Sequence, residues 1–274
     1  MRRLICSIFL LLLCTLRSTA QRDSLLNITL DKIITGDIVN FTTDNLGNMY
    51  VVSSSNQVKK LNNNGDSVAA YNDVKRYGKI FSVDATNPLK ILVYYKDFAT
   101  IVVLDRLLNV RNTLDLRKQN IFQVQAVTAS YDGNIWLFDE LESKLKKMDD
   151  YGKILLESAD FRLVFDEVPQ PEVMYDRDGQ LYLYDRKKGL LVFDYYGAQK
   201  NNYQVIEWND LQVIDKNTVT ARDSSGVILY KPLTMQLYHF KLNQNLDRFS
   251  LVRFTGNHVY ALTKKGNLET YFTP

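Results

Sequence analysis

Along most of the chain, apolar residues come in short alternating runs broken by Gly-, Asn- and Asp-rich turns. This is the two-residue period of strands, and no stretch sustains a helical period. The stretch DNLGNMYVVSSSNQVKKLNNNG, Asp44 to Gly65, reads as turn, strand, turn, strand, turn. The same design recurs in SYDGNIWLFDELESKLKKMDDYG from Ser130 and in DRDGQLYLYDRKKGLLVFDYYG from Asp176. Weaker copies begin at Asn87, Asp215 and Thr255. Six copies at this spacing predict an architecture built by repetition: Gly47 and Gly133 lie 86 residues apart, Gly133 and Gly179 lie 46 apart, and Gly179 and Gly256 lie 77 apart. One or two units of roughly 40 to 45 residues match those intervals, the length of a four-stranded propeller blade. The recurring glycine has a physical cause, because a tight turn between the first and second strands needs positive φ. The aromatic residue two or three positions later is expected between neighbouring blades.

The pattern therefore predicts an all-β chain, a six-bladed β-propeller. First strands are expected near Ile38–Thr43, Phe81–Asp84, Gln125–Ala129, Glu172–Tyr175, Leu211–Ile214 and Ser250–Phe254. The last blade runs out of chain after three strands, and LLNITLDKII, Leu25 to Ile34, belongs to no repeat. An N-terminal strand completing the last blade would close the ring and remove an exposed edge. The competing architecture, a β-sandwich of six hairpins, does not require a glycine at this interval.

Composition changes the picture mainly at the N-terminus. Residues 1–20 combine a basic start, an apolar run from Leu4 to Leu16 and a small-residue end at Ser18-Thr19-Ala20, the pattern of a signal peptide. The run is too short to span a bilayer, which takes about 20 apolar residues. Cys14 follows Leu13 rather than a small residue, which argues against a lipid anchor. Export to the periplasm or outer membrane, or beyond the cell, is the expected location. Both cysteines, Cys6 and Cys14, fall in this segment, so residues 21–274, read as a single domain, hold no thiol for a disulfide, a nucleophile or a thiolate metal site. The segment also carries Arg2, Arg3 and Arg17, and without them 31 basic residues face 31 acidic ones. That balance gives no reason to expect a nucleic-acid partner.

The best copies, at Asp44, Ser130 and Asp176, resemble the NHL-type propeller repeat: an acidic turn, Gly-Asn, a short aromatic strand, an Asn-x-[RKV]-[VI] strand and a closing glycine. The Asp that often follows the aromatic strand is present as Asp139 and Asp185 and replaced by Ser53 in the first copy. In style the chain also resembles exported envelope propellers of Bacteroidota.

Candidate chemistry is sparse. Only His239 and His258 could serve as imidazole bases, and neither sits in a recognisable catalytic pattern. By resemblance, calcium-dependent lactonase or hydrolase propellers gather Glu, Asn and Asp at the channel mouth. Asp84, Asp176 and Asp215 are candidates, but their spacing is equally that of turn-capping residues. SYDGNIW resembles a sialidase Asp-box without the residue that should separate Asp132 from Gly133, and that box is structural. No cofactor, metal set or catalytic residue is expected.

Binding is the leading expectation, on the face where loops between second and third strands meet the connectors between blades. Asp139, Glu140 and Glu142 would form an acidic pole there. Arg186, Lys187, Lys188, Arg222, Lys264 and Lys265 would form a basic one. Connector aromatics, chiefly Phe161, Phe165 and Trp208 with Tyr77 and Phe122, would anchor a partner. The expected function is a non-catalytic binding or scaffolding module of the bacterial envelope, for an envelope protein or glycan, and the alternative is a metal-dependent enzyme with its site in the channel.

Overall fold

The computed structural model describes residues 24–273, so the expected signal segment and both cysteines lie outside the described residues. Six antiparallel sheets follow one another along the chain and form a closed six-bladed β-propeller. The first blade contains Ile38–Thr43, Met49–Ser53, Val58–Leu61 and Ser67–Tyr71. Later blades open with inner strands Ser82–Asn87, Val124–Ala129, Val173–Arg177, Asn209–Asp215 and Phe249–Thr255. Among the described residues no helix is long and apolar enough to cross a membrane.

Six buried clusters hold the ring together, one in each layer between neighbouring blades. Tyr50, Val52 and Val58 of blade one pack with Ile91, Val93 and Val102 of blade two. At the seam, Phe41, Met49 and Val51 of blade one meet Tyr260, Leu262 and Leu268 of blade six. The repeat aromatics Tyr50, Trp136 and Tyr182 are all buried at 2 % exposure or less, in the inter-blade position the sequence predicts. Fully burying a side chain of this class stabilises by about 1.5–3 kcal/mol, so the recurrent aromatic contributes at each interface where it stands.

The glycines of the repeat hold positive φ, +80° at Gly47, +82° at Gly133 and +81° at Gly179. Gly189 is under a stricter constraint. At φ +91°, a Cβ there would lie 2.2 Å from the Tyr203 carbonyl oxygen of the adjacent strand. Replacement Gly189→Ala combines an unfavourable backbone region with a clash against backbone that cannot swing away. Its expected cost is at least about 2 kcal/mol, read as a lower urea midpoint at unchanged m.

Ring closure matches the sequence expectation in its main part and differs in one detail. Thr29–Ile34 is the outer strand of blade six, antiparallel to Leu268–Phe272, with Thr29 opposite Phe272 and Ile34 opposite Leu268. The preceding residues do not extend it. Ser24–Leu26 instead runs parallel to the outer strand Gln236–Leu242 as a fifth strand of blade five. Between the two strands, Ile28 is 3 % exposed. The Asn243 side chain accepts from the Ile28 N–H at 3.1 Å and donates to its carbonyl at 3.1 Å. Asn243 thus replaces the ladder at Ile28, where the chain changes blades, and satisfies both backbone groups of that residue.

Candidate binding face

Loops between second and third strands share one face with the blade connectors, and backbone hydrogen bonds tie them together. Ser54 donates to Asp37, Glu140 to Gln123, Glu207 to Arg186 and Lys264 to Arg248, each at 2.8–2.9 Å. The expected face therefore exists, but its charges are arranged differently from the expectation.

Asp139 is 1 % exposed and does not face solvent. Its carboxylate accepts from the Leu141 and Glu142 N–H groups at 3.1 and 3.2 Å and sits 2.9 Å from the Lys146 ammonium. Glu142 lies 2.9 Å from Lys146 and 3.5 Å from Lys144, and Glu140 lies 4.0 Å from Lys96. Hydrogen bonding to Lys146 holds the Glu142 carboxyl below the usual glutamate range. Lys144 and Lys146 of the adjacent third strand, with Lys96 of blade two, thus neutralise the acidic pole.

Half of the basic pole is paired as well. Arg186 lies 3.2 Å from Glu172 and donates to Asn209 at 2.8 Å, Lys188 lies 2.9 Å from Glu167, and Arg222 is ion-paired with Asp210. Lys187, Lys264 and Lys265 remain exposed. The expected two-pole face gives way to locally balanced loops with three projecting lysines.

The aromatic anchors are also redistributed. Phe161 is 1 % exposed, its ring 5.1 Å from both Phe165 and Phe193 and 5.7 Å from Phe138, so it belongs to the core between blades three and four. Phe165 is half-buried in the same cluster. Trp208 is half-buried edge-on to Tyr230, and Tyr184 brackets its backbone, accepting from the Trp208 N–H and donating to its carbonyl. Tyr77 is buried.

Of the expected anchors Phe122 does reach solvent, and a different apolar set joins it. Phe81, Phe98, Phe122, Leu141, Leu163 and Val164 are all more than 40 % exposed, Leu163 reaching 85 %. Contacts between their neighbours make them one arc over blades two and three. Phe98 packs against Gly78, and the Lys96 ammonium lies over the Phe81 ring while donating to Gln125. Glu140, 4.0 Å from Lys96, leads to Leu141, and Arg162 beside Leu163 donates to the Glu142 carbonyl at 3.4 Å. Exposed apolar side chains gathered on neighbouring loops of one face are candidate interaction residues.

The channel is bridged from inside. Arg253 of blade six donates to the Tyr175 hydroxyl of blade four at 3.3 Å and to the Leu211 carbonyl of blade five at 3.4 Å. Asp84 accepts from Thr128 Oγ1 and the Ala129 N–H, at 2.7 and 2.8 Å, joining blades two and three. Asp176, 4 % exposed, accepts from Ser130 and Tyr195 at 2.8 and 2.6 Å. Asp215 caps the Asn217 N–H at 2.7 Å. Among the described residues no group of three or more His, Cys, Asp and Glu side chains is placed to hold a metal.

Two sequence features resolve into structural roles. In the Asp-box-like turn, Asp132 lies 2.6 Å from the Lys147 ammonium. Burial opposes its charge, but that bond and the Asn134 donors outweigh it and hold its pKa at about 2. His239 is 6 % exposed, with Ser225 Oγ 3.1 Å and Asp223 3.2 Å from it. Both neighbours meet the same nitrogen, Nε2, whereas a Ser-His-Asp relay needs the acid and the nucleophile on opposite ring nitrogens. The trio closes the turn at Gly226.

Blade number, ring closure and inter-blade packing define the chain as a six-bladed β-propeller. No family model and no curated protein matches it in sequence. Solved structures match in fold. The chain is similar to virginiamycin B lyase from Staphylococcus aureus, at 10 % identity and a TM-score of 0.61, covering 93 % of this chain and 96 % of the other. A catalytically inactive variant of that lyase with quinupristin matches at 10 % identity over the same shares, with a TM-score of 0.59. The β-propeller domain of Cps50 (Swd1) from Myceliophteria thermophila matches at 7 % identity over 90 % of this chain and all of the domain, with a TM-score of 0.59. At such identities the likeness concerns the fold alone.

Proposed function

We propose that the chain is an exported, non-catalytic propeller that serves as a protein-binding or scaffolding module of the bacterial cell envelope. The observation that carries this reading is the group of exposed apolar side chains from Phe81 to Val164, on a face where only three lysines project beyond paired charges. A desolvated apolar centre ringed by polar groups is how protein interfaces are built. The signal-like N-terminus supports export, and the NHL-like style of the repeats supports an envelope propeller. A metal-dependent hydrolase in the channel is not favoured, because Asp84 and Asp176 are engaged in holding blades together and Arg253 reaches across the inner strands. The lyase neighbours carry no activity across at 10 % identity.

The test is comparative affinity purification from the native envelope. Double replacement Leu163→Glu with Val164→Glu places charge on two solvent-exposed side chains and is expected to leave stability within about 0.5 kcal/mol. It should abolish recovery of a stoichiometric partner that wild-type protein retains. Equal recovery by both proteins refutes docking through the arc.

A further inference from the structure

A cavity lies on the face opposite the connectors, at the seam where the ring closes. It has a volume of about 260 Å³. Three distant stretches wall it: Asp31 from the N-terminal strand, Asn45 and Asn63 from turns of blade one, and Thr255, His258 and Tyr260 from blade six. Only closure of the ring brings them together.

The polar groups of this crevice are under-used by the protein. The Tyr260 hydroxyl, the His258 imidazole and the Asn45 amide have no hydrogen-bond partner among the described residues. The Tyr260 ring is 5 % exposed, and burial together with the fields of Asp31 and Asp44 raises its hydroxyl above the usual tyrosine range, keeping it a neutral donor. His258 is held as a wall by a tilted ring contact with Phe272, with ring centres 4.6 Å apart. Asp31 accepts from Thr270 at 3.1 Å, and Lys32 lies 3.4 Å from it, so its charge is compensated locally.

We propose that this crevice binds a neutral, hydroxyl-rich molecule of monosaccharide size. The volume falls below the roughly 300–1,000 Å³ typical of drug-sized ligands. Local charge balance argues against an ionic ligand. The walls present an acceptor-only carboxylate, a primary amide and a hydroxyl that both donate and accept, and an imidazole with one of each. Sugar hydroxyls, which also donate and accept, satisfy such a mixed wall, and the flat His258 ring suits the apolar face of a pyranose. A ligand held here touches the N-terminal strand, the first blade and the last blade at once, so occupancy strengthens ring closure. This inference is independent of the docking face.

The test uses the full mature chain with glucose, galactose, mannose and N-acetylglucosamine, read by thermal unfolding and amide hydrogen exchange. At least one sugar should raise Tm, the stabilisation growing with the logarithm of sugar concentration above Kd. At a concentration a hundred times its Kd, it should slow exchange of the Thr29–Ile34 amides by about a hundredfold. Tyr260→Phe and Asp31→Asn should each raise Kd by about tenfold or more. Ligand-free Tm should hold, because the Tyr260 hydroxyl has no protein partner and the new amide oxygen still accepts from Thr270. The absence of a shift with this concentration dependence for any of the four sugars overturns the proposal. A shift equal in wild type and both variants also overturns it, because preferential exclusion of sugar from the whole surface would produce that.

Discussion

A chain lacking residues 24–34 is expected to lose more than about 10 °C in Tm and to associate. The deletion removes the whole outer strand of blade six, with the pairings from Thr29–Phe272 to Ile34–Leu268. It also removes Ile28, which is 3 % exposed in a layer shared with Leu246, Phe249 and Tyr271. Burial of that one side chain stabilises by about 1.5–3 kcal/mol, and the lost strand packing adds to it. Against a typical domain stability of about 5–15 kcal/mol, the loss is a large share. At about 2–4 °C per kcal/mol for a chain of this size class, the predicted drop follows. Association follows because Leu268–Phe272 becomes an unpaired edge. Deleting residues 24–26 alone should cost far less, since Ser24 and Leu25 are exposed and their strand only adds a parallel fifth member to blade five. Light scattering and calorimetry on the two truncations check this, and a peptide of residues 24–34 supplied in trans should restore part of the lost Tm. A monomeric, fully stable long truncation would show that closure does not depend on the strand.

The features legible in the sequence were those fixed by local backbone chemistry. Positive φ at Gly47, Gly133 and Gly179 is imposed by the turn itself, so the repeat, the blade count and the inner strands could be read within three residues of where they lie. The aromatics after those turns have an invariant place in the blade, so their burial was legible too. The loop face was not, because burial there depends on how each connector folds back. In DFRLVF, the Phe165 N–H donates to the Phe161 carbonyl at 2.8 Å. That single turn puts positions four apart on one side, so Phe161 and Phe165 turn inward and Leu163 and Val164 outward. Two aromatics four apart in one connector carried that signal, and reading them as rim residues missed it. The charge pairing was hidden for a related reason. Asp139 and Lys146 are adjacent only across a strand pair, and loop composition alone does not register the lysines beside it.

That pair carries the largest single-residue effect expected in the molecule. Replacement Lys146→Met keeps the length and packing of the side chain but strands the Asp139 carboxylate at 1 % exposure without its counter-charge. Removing one partner of a buried pair typically costs about 3–5 kcal/mol. The double replacement Lys146→Met with Asp139→Asn should recover most of this, because the new amide oxygen can still cap the Leu141 and Glu142 N–H groups and no buried charge remains. The non-additive remainder, read from a double-mutant cycle in urea, measures the coupling. The pH profile provides a second signature. Burial opposes the charge on Lys146, but the hydrogen bonds it donates to Glu142 and Asp139 outweigh it, so its folded pKa lies above the unfolded value of 10.5. Its contribution is complete below that value and is lost as pH rises through the folded pKa. Glu142 acts in the opposite sense. Its pKa is lowered chiefly by Lys146, so its contribution is present above the unfolded value of 4.5 and is lost as pH falls through the folded pKa. Wild-type stability should therefore be flat near neutrality, with an alkaline and an acidic limb from this cluster. Lys146→Met should remove the alkaline limb and flatten the acidic one. A single mutant as stable as wild type, with both limbs intact, would mean that solvent rather than Lys146 carries the Asp139 charge.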